Sequence, residues 1–132
     1  MGNARKRGPM VAVVDDDRSI RAATDSLLRS RGYAVCTFPS ASEFLQSREL
    51  AETVCVITDV RMPAIDGIEL QAMLRARGSS LPVIFVTAFP EESTRARAIR
   101  GGASGYLTKP FDAPTLMKCV EAALDGRRGV PD

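Results

Sequence analysis

Four groups of different chemistry each stand directly behind a short apolar run. Asp15-Asp16-Asp17 follows Met10-Val11-Ala12-Val13-Val14, and Asp59 follows Val54-Cys55-Val56-Ile57-Thr58. Thr87-Ala88 follows Val83-Ile84-Phe85-Val86, and Lys109-Pro110 comes shortly after Tyr106-Leu107. Clustered carboxylates repel one another and attract a hard cation, and Mg²⁺ takes carboxylate, carbonyl and water oxygens. A carboxylate also attacks phosphorus to give an acyl phosphate. That transfer needs in-line positioning, neutralisation of the equatorial oxygens and hydrogen-bond donors. Asp15, Asp16 and Asp59 suit the metal. Asp59 also suits the nucleophile, Lys109 the fixed positive charge and Thr87 the hydroxyl, with Ala88 leaving its N–H accessible. Lys109 stands out because the chain has three lysines against fifteen arginines. Asp17 is read as the N-cap of the next helix and not as a ligand. Taken singly, a strand threonine or a surface lysine is ordinary; the argument lies in their order.

These groups meet only if the apolar runs are parallel strands of one sheet. The runs lie at 10–14, 33–38, 54–58, 83–86 and 105–108, and most are unalternated, as in strands buried on both faces. Helical stripes fall between them. Ile20, Ala23, Leu27 and Leu28 form one, ended by Gly32; Leu70, Met73, Leu74 and Arg77 form another, ended by Gly78. Leu116, Cys119, Val120, Ala123 and Leu124 form the last, ended by Gly126. Each stripe is read as core packing. Ser40-Ala41-Ser42-Glu43 has the pattern of a capping box. Segment 91–100 offers only Ala96, Ala98 and Ile99 as apolar residues among three arginines, which predicts a weakly anchored helix. Strand alternating with helix gives an α/β fold with a doubly wound, open parallel sheet. Such sheets bind ligands beyond the carboxyl ends of their strands, where all four groups sit.

The bulk composition bounds the function. A chain of 132 residues with 45% apolar residues fits one domain with its own core. A net charge of +2 makes no case for nucleic-acid binding. The polar residues 1–9 read as a flexible N-terminal tail and 127–132 as a C-terminal tail. Cys36, Cys55 and Cys119 lack metal-site spacing and read as buried free thiols in a reducing cytoplasm. No apolar stretch is long enough for a membrane span, and no secretory signal is visible. The absence of histidine excludes Ser-His-Asp and Cys-His nucleophile systems, the usual zinc sites and a phosphohistidine carrier.

The pattern V-V-D-D-D, then T-D-V-R-M-P-A-I-D-G, V-T-A and Y-L-T-K-P-F resembles the receiver domain of two-component response regulators. The resemblance covers about residues 10–125, and the domain is assigned to 10–126. It implies a flavodoxin-like fold with five parallel strands and five helices. It also implies that Asp59 is the phosphoacceptor and that Asp16 binds Mg²⁺ directly, with Asp15 acting largely through water. The carbonyl of Arg61 would be a backbone ligand. Thr87 and Lys109 would contact the phosphoryl group, and Tyr106 would be the aromatic switch residue. The Asp66-Gly67 turn matches as well. Phe89-Pro90 after Thr87-Ala88 departs from the usual pattern. The motifs R-M-P and K-P-F are similar to those of the nitrogen-fixation type of transcriptional regulators, where a helix-turn-helix domain usually follows. Ending at Asp132, the chain is expected to be a stand-alone receiver or a receiver cut from a longer protein. Lys109-Pro110 is expected to be cis, because the strand end must turn sharply to aim Lys109 at Asp59.

The implied activity is a phosphorelay switch and not a turnover enzyme; the chain would catalyse only its own phosphorylation and dephosphorylation. The phosphoryl donor would be a sensor histidine kinase or a histidine phosphotransfer protein. Output would pass through the face formed by the fourth helix, fifth strand and fifth helix, to a second copy of the chain or another protein, with no direct nucleic-acid or membrane contact. A phosphohydrolase of the haloacid-dehalogenase type also uses Asp, Lys and Mg²⁺, but places its nucleophile after the first strand. A flavin binder needs a hydroxyl-rich loop where this chain has three aspartates. A docking module that is never phosphorylated is expected to lack one of Asp59, Thr87 or Lys109.

Overall fold

The computed structural model describes residues 8–125. Strands β1 Met10–Val14, β2 Ala34–Phe38, β3 Thr53–Asp59, β4 Val83–Thr87 and β5 Gly105–Thr108 alternate with five α-helices. These are α1 Arg18–Ser30, α2 Ala41–Leu45, α3 Gly67–Ala76, α4 Glu92–Arg100 and α5 Ala113–Asp125; a short 3-10 helix, Arg48–Glu52, leads into β3. All pairings are parallel, in the order β2-β1-β3-β4-β5. The chain winds outward from β1 to β2, then returns and winds the other way from β3. The switch point therefore lies between β1 and β3, whose carboxyl ends lead into Asp15 and Asp59.

Because successive strand residues point to opposite faces, each buried strand feeds two cores. Ala12, Val14, Val56, Val83 and Phe85 pack with Phe44, Leu70 and Leu74 from α2 and α3. Val11, Val13, Cys55, Ile57, Ile84 and Val86 pack with Leu28 of α1 and Leu116, Met117 and Val120 of α5. This two-sided burial explains why the strand sequences are unalternated. The two edge strands are more open: β2 exposes Thr37, and no residue of β5 is fully buried.

Local signals set the helix limits. The Asp17 carboxylate accepts from the N–H groups of Ser19 and Ile20, so it caps α1 as expected. Ser40 accepts from the Glu43 N–H, but the reciprocal capping box occurs instead at Asp66 and Glu69, opening α3. Past α3, Gly78 takes a left-handed φ of 83°, and the Ser79 N–H bonds back to the Leu74 carbonyl.

Three stripe residues, Ala23, Met73 and the last-turn Arg77, face outward, contrary to the core reading. Ala23 is exposed because α1 stands clear of the Lys109–Phe111 turn, leaving a groove of about 520 Å³ that Ala23 lines; Thr24 is buried instead. Met73 is exposed because α3 turns Gln71 inward, toward α4. The thiols are also less uniform than expected: Cys55 is buried, whereas Cys36 and Cys119 are half-buried. Burial pushes Cys55 up to about 12, and burial followed by the charge of Glu49 pushes Cys36 up to about 11, so neither is an effective thiolate. Of the two assigned tails, residues 1–7 and 127–132 lie outside the described residues, as does the proposed helix stop at Gly126. The Pro9 carbonyl already accepts from the Ala34 N–H. No helix among the described residues is long and apolar enough to cross a membrane.

The inward and outward faces of α3 make a direct test. Leu74→Ala should cost about 2–5 kcal/mol in urea unfolding, whereas Met73→Ala should stay within about 0.5 kcal/mol of the parent. Equal losses in the two variants would contradict this orientation.

Candidate functional site

The carboxyl ends of β1 and β3 bring three carboxylates together. One oxygen from each of Asp15, Asp16 and Asp59 lies within 4.8 Å of the others. Asp15 and Asp59 are buried, and Asp16 is exposed. The Asp15 carboxylate is oriented by the Asp17 N–H at 2.9 Å, and its carbonyl accepts from Arg21 Nη1 at 2.7 Å. Asp59 Oδ1 accepts from the Arg61 N–H at 3.3 Å. Behind it, α3 begins so close that a Cβ on Gly67 would collide with the Asp59 carbonyl oxygen and Val60 Cα. The Gly67 N–H donates to the Val60 carbonyl at 2.8 Å. Glycine is therefore the residue that lets the β3–α3 loop close over the site.

Lys109 reaches the acids from the far edge of the sheet. Its Nζ lies 3.0 Å from Asp15 Oδ2 and 3.4 Å from Asp59 Oδ2. The Lys109 N–H donates to the Thr87 carbonyl at 2.8 Å, and the Lys109–Pro110 peptide is cis. The electrostatics follow from this packing. Burial, then the charge of Asp15, raises the Asp59 carboxyl above its ordinary value; Lys109 and the Arg61 N–H oppose that rise without cancelling it. For Lys109, burial works to lower its value, but the hydrogen bond and charge of Asp15 and the charge of Asp59 outweigh it, and the net shift is upward. The ammonium is firmly held, while the acid pair still carries uncompensated repulsion.

An all-oxygen donor set with excess negative charge fits a hard divalent cation such as Mg²⁺, and it does not fit the nitrogen- and sulfur-preferring metals. Thr87 is fully buried at the end of β4, one residue past Val86, which pairs with Asp59. Its hydroxyl accepts from the Phe89 N–H at 3.0 Å. Tyr106 is not at the acidic cluster. It pairs with Phe85 across β4 and β5, and its ring lies 6.1 Å from that of Phe85. Its hydroxyl is buried and has no hydrogen-bond partner among the described residues. Burial, then the charge of Glu91, raises its pKa.

A second polar system spans the mouth of the site. Arg61 Nη2 lies 2.8 Å from Glu91 Oε2, and the Arg61 guanidinium sits 5.1 Å from the centre of the Phe89 ring. Sequence reasoning assigned Arg61 only its carbonyl and gave Arg21, Glu91 and Phe89 no part. The unusual Phe89-Pro90 pair was the one signal available for the clasp, and Arg21 carried none.

Residues 11–121 match the family described as the response regulator receiver domain. The response regulator protein TodT of Pseudomonas putida is 36% identical over 118 residues, 89% of this chain and 52% of TodT. The transcriptional regulatory protein FixJ of Azorhizobium caulinodans is 40% identical over 114 residues, 86% of this chain and 54% of FixJ. A solved structure of the response regulator StyR superposes with a TM-score of 0.84 at 41% identity, over 92% of this chain and 63% of that one. The chain thus spans about half the length of the curated relatives it matches. The fold, with its acids at the β1–β3 switch point, and a match over most of the chain lead to one conclusion. The chain belongs to the response regulator receiver domain family, the phosphorylation-based signalling switches of two-component systems.

Proposed function

We propose that Asp59 is the phosphoacceptor. The observation that carries this is the convergence of Asp15, Asp16 and Lys109 on one buried aspartate at the switch point. An Asp59 carboxylate oxygen attacks phosphorus, and the bond from phosphorus to the leaving group breaks. With a histidine kinase or phosphotransfer protein, the leaving group is an imidazole nitrogen, which departs with the bonding pair. With a small phosphodonor it is an oxyanion. Lys109 neutralises negative charge on the transferring oxygens, and the Thr87 hydroxyl and the Ala88 N–H donate to them. Asp15, Asp16, Asp59 and the Arg61 carbonyl would hold Mg²⁺, which would supply charge neutralisation there. The chain catalyses only its own phosphorylation and dephosphorylation. A haloacid-dehalogenase-type hydrolase is not favoured, because the nucleophile here follows β3 and not β1. We also assign the chain to the cytoplasm, where its free thiols suit a reducing compartment.

The output reading rests on α4. Among its described residues only Ala98 is buried, and its N-cap Glu91 makes no side-chain cap. The Thr87 hydroxyl is already tied to the loop that leads into α4. Recruiting it toward a phosphoryl group releases the Phe89 N–H, and the buried, unpaired Tyr106 hydroxyl leaves that side chain poised to move. The regulated face is therefore α4–β5–α5, read by a second copy or by another protein. Arg95, Arg97 and Arg100 do not make this a DNA reader, because the described residues contain no helix-turn-helix.

Three measurements check this reading. Incubation with a small phosphodonor and Mg²⁺ should add one phosphoryl group by intact mass; Asp59→Asn or a chelator should reduce labelling at least about a hundredfold. Undiminished labelling of Asp59→Asn would sink the assignment.

Second, the acid cluster should weaken the metal-free fold. Mg²⁺ at millimolar concentration should raise the melting temperature, and Asp16→Ala should stabilise the metal-free form and remove that response. The pH dependence has a defined sign. Because the folded value of Asp59 lies above its ordinary 3.8, its ionisation destabilises the fold. That cost is absent below the ordinary value, builds as pH rises from there to the folded value, and is complete above it. Asp59→Asn should therefore stabilise at pH 7, with the gain shrinking as pH falls toward 4. A pH-independent effect would contradict it.

Third, hydrogen exchange with a phosphoryl mimic should change segment 87–108. Changes confined to the loops around Asp59 would show that the α4–β5–α5 face is not the switch.

A further inference from the structure

We propose that the groove between α3 and α4 is a docking surface for an acidic, amphipathic segment of a protein partner. It lies on the side of α4 away from β5 and is separate from the Asp59 site. Its volume is about 610 Å³. Ile68, Ala72 and Ala76 of α3 give it an apolar floor, and Arg97 and Arg100 of α4 line the opposite wall. The two alanines create the space, since a longer side chain at either position would fill it.

The arginines around this groove differ in their employment. Arg75 is structural: its Nε donates to the Gly101 carbonyl at 3.1 Å, and its Nη1 to the Ser79 and Leu81 carbonyls at 3.2 and 3.0 Å. Gln71 Nε2 donates to the Ala98 carbonyl at 3.1 Å. Carbonyls near the end of α4 thus already have partners. Arg97 and Arg100 are exposed and make no hydrogen bond or ion pair among the described residues, and no acid lines the groove. Elsewhere Arg29 pairs with Asp25 and Arg61 with Glu91. A last-turn arginine also complements the helix dipole. That role asks only for charge near the terminus, not for two free guanidiniums facing an apolar floor.

Charge complementarity identifies the occupant. Residues three apart on a helix present side chains to one surface, and each guanidinium fork matches a carboxylate with two parallel hydrogen bonds. The apolar floor selects an aliphatic side chain between those carboxylates. A nucleic acid would satisfy the arginines and leave the floor empty, and a net charge of +2 gives little attraction to a polyanion. Because α4 forms one wall, any shift of α4 alters the width of the groove.

Fluorescence anisotropy on the 132-residue chain tests this, using a labelled helical peptide that presents glutamates flanking a leucine row. Arg97→Gln with Arg100→Gln should weaken binding at least about tenfold, and replacing the peptide's glutamates by glutamines should do the same. Ala72→Leu, which fills the groove without changing charge, should weaken it at least about fivefold. Arg95→Gln removes one charge from the other side of α4, where Arg95 acts on Tyr106, and should leave affinity within about twofold. Circular dichroism confirms that each variant is folded. An unaffected Ala72→Leu, an equal loss in Arg95→Gln, tighter binding of a single-stranded oligonucleotide, or no saturable binding of the peptide would each overturn the proposal.

Discussion

The repulsion between Asp15 and Asp59, and its partial compensation by Lys109, is the constraint around which the structure is arranged. The sheet topology forces these carboxylates together, because β1 and β3 are neighbours whose loops diverge at the same edge. Two buried acids at this separation are unfavourable without a counter-charge. Lys109 provides one by reaching from the far side of β4, guided by the turn that its own N–H makes to the Thr87 carbonyl. A single ammonium shared between two carboxylates leaves the cluster net negative, with the exposed Asp16 adding to it. The site is thus held in a state that a cation, a proton or a neutral substitution relieves. The same three side chains that form the acidic cluster therefore also weigh on the stability of the fold.

The α4 helix shows the opposite design principle. Its core anchor is one alanine, and its position depends on directional polar contacts at both ends. At the amino end, Arg61 holds Glu91 and stacks on Phe89; at the carboxyl end, Gln71 and Arg75 hold the carbonyls of Ala98 and Gly101. The three residues that make these contacts all come from the β3–α3 segment that begins at Asp59. An apolar interface resists small displacements through close packing. A helix held by a few charge-assisted contacts responds when local charge changes, since exposed ion pairs contribute little each. Gly101 fits this arrangement, because a Cβ there would run into the Gln71 amide. The connection between the acidic cluster and α4 is therefore a short set of named side chains, Thr87 to the Phe89 N–H and Arg61 to Glu91.

The amino-acid sequence by itself determined the alternation of buried strands and amphipathic helices, the caps at Asp17 and Gly78, and which polar groups stand behind the strands. These are legible because they depend on period, β-branching and local chemistry, which neighbouring residues decide. Strand ends shifted by about a residue, and the stripe readings failed at Ala23, Met73 and Arg77. A stripe gives the average direction of a helix face but not the width of the contact that its neighbours make. Only the tertiary structure decided that the Asp15 pairing reaches across 94 positions to Lys109, that Gly67 permits the loop to close, and that Arg61 clasps Glu91 and Phe89. Those interactions join residues far apart in the chain, and nothing in local composition distinguishes a clasping arginine from a solvated one. The groove between α3 and α4 belongs to the same class: its alanines read as helix formers and its arginines as a polar face, and only the packing of two helices makes them one surface.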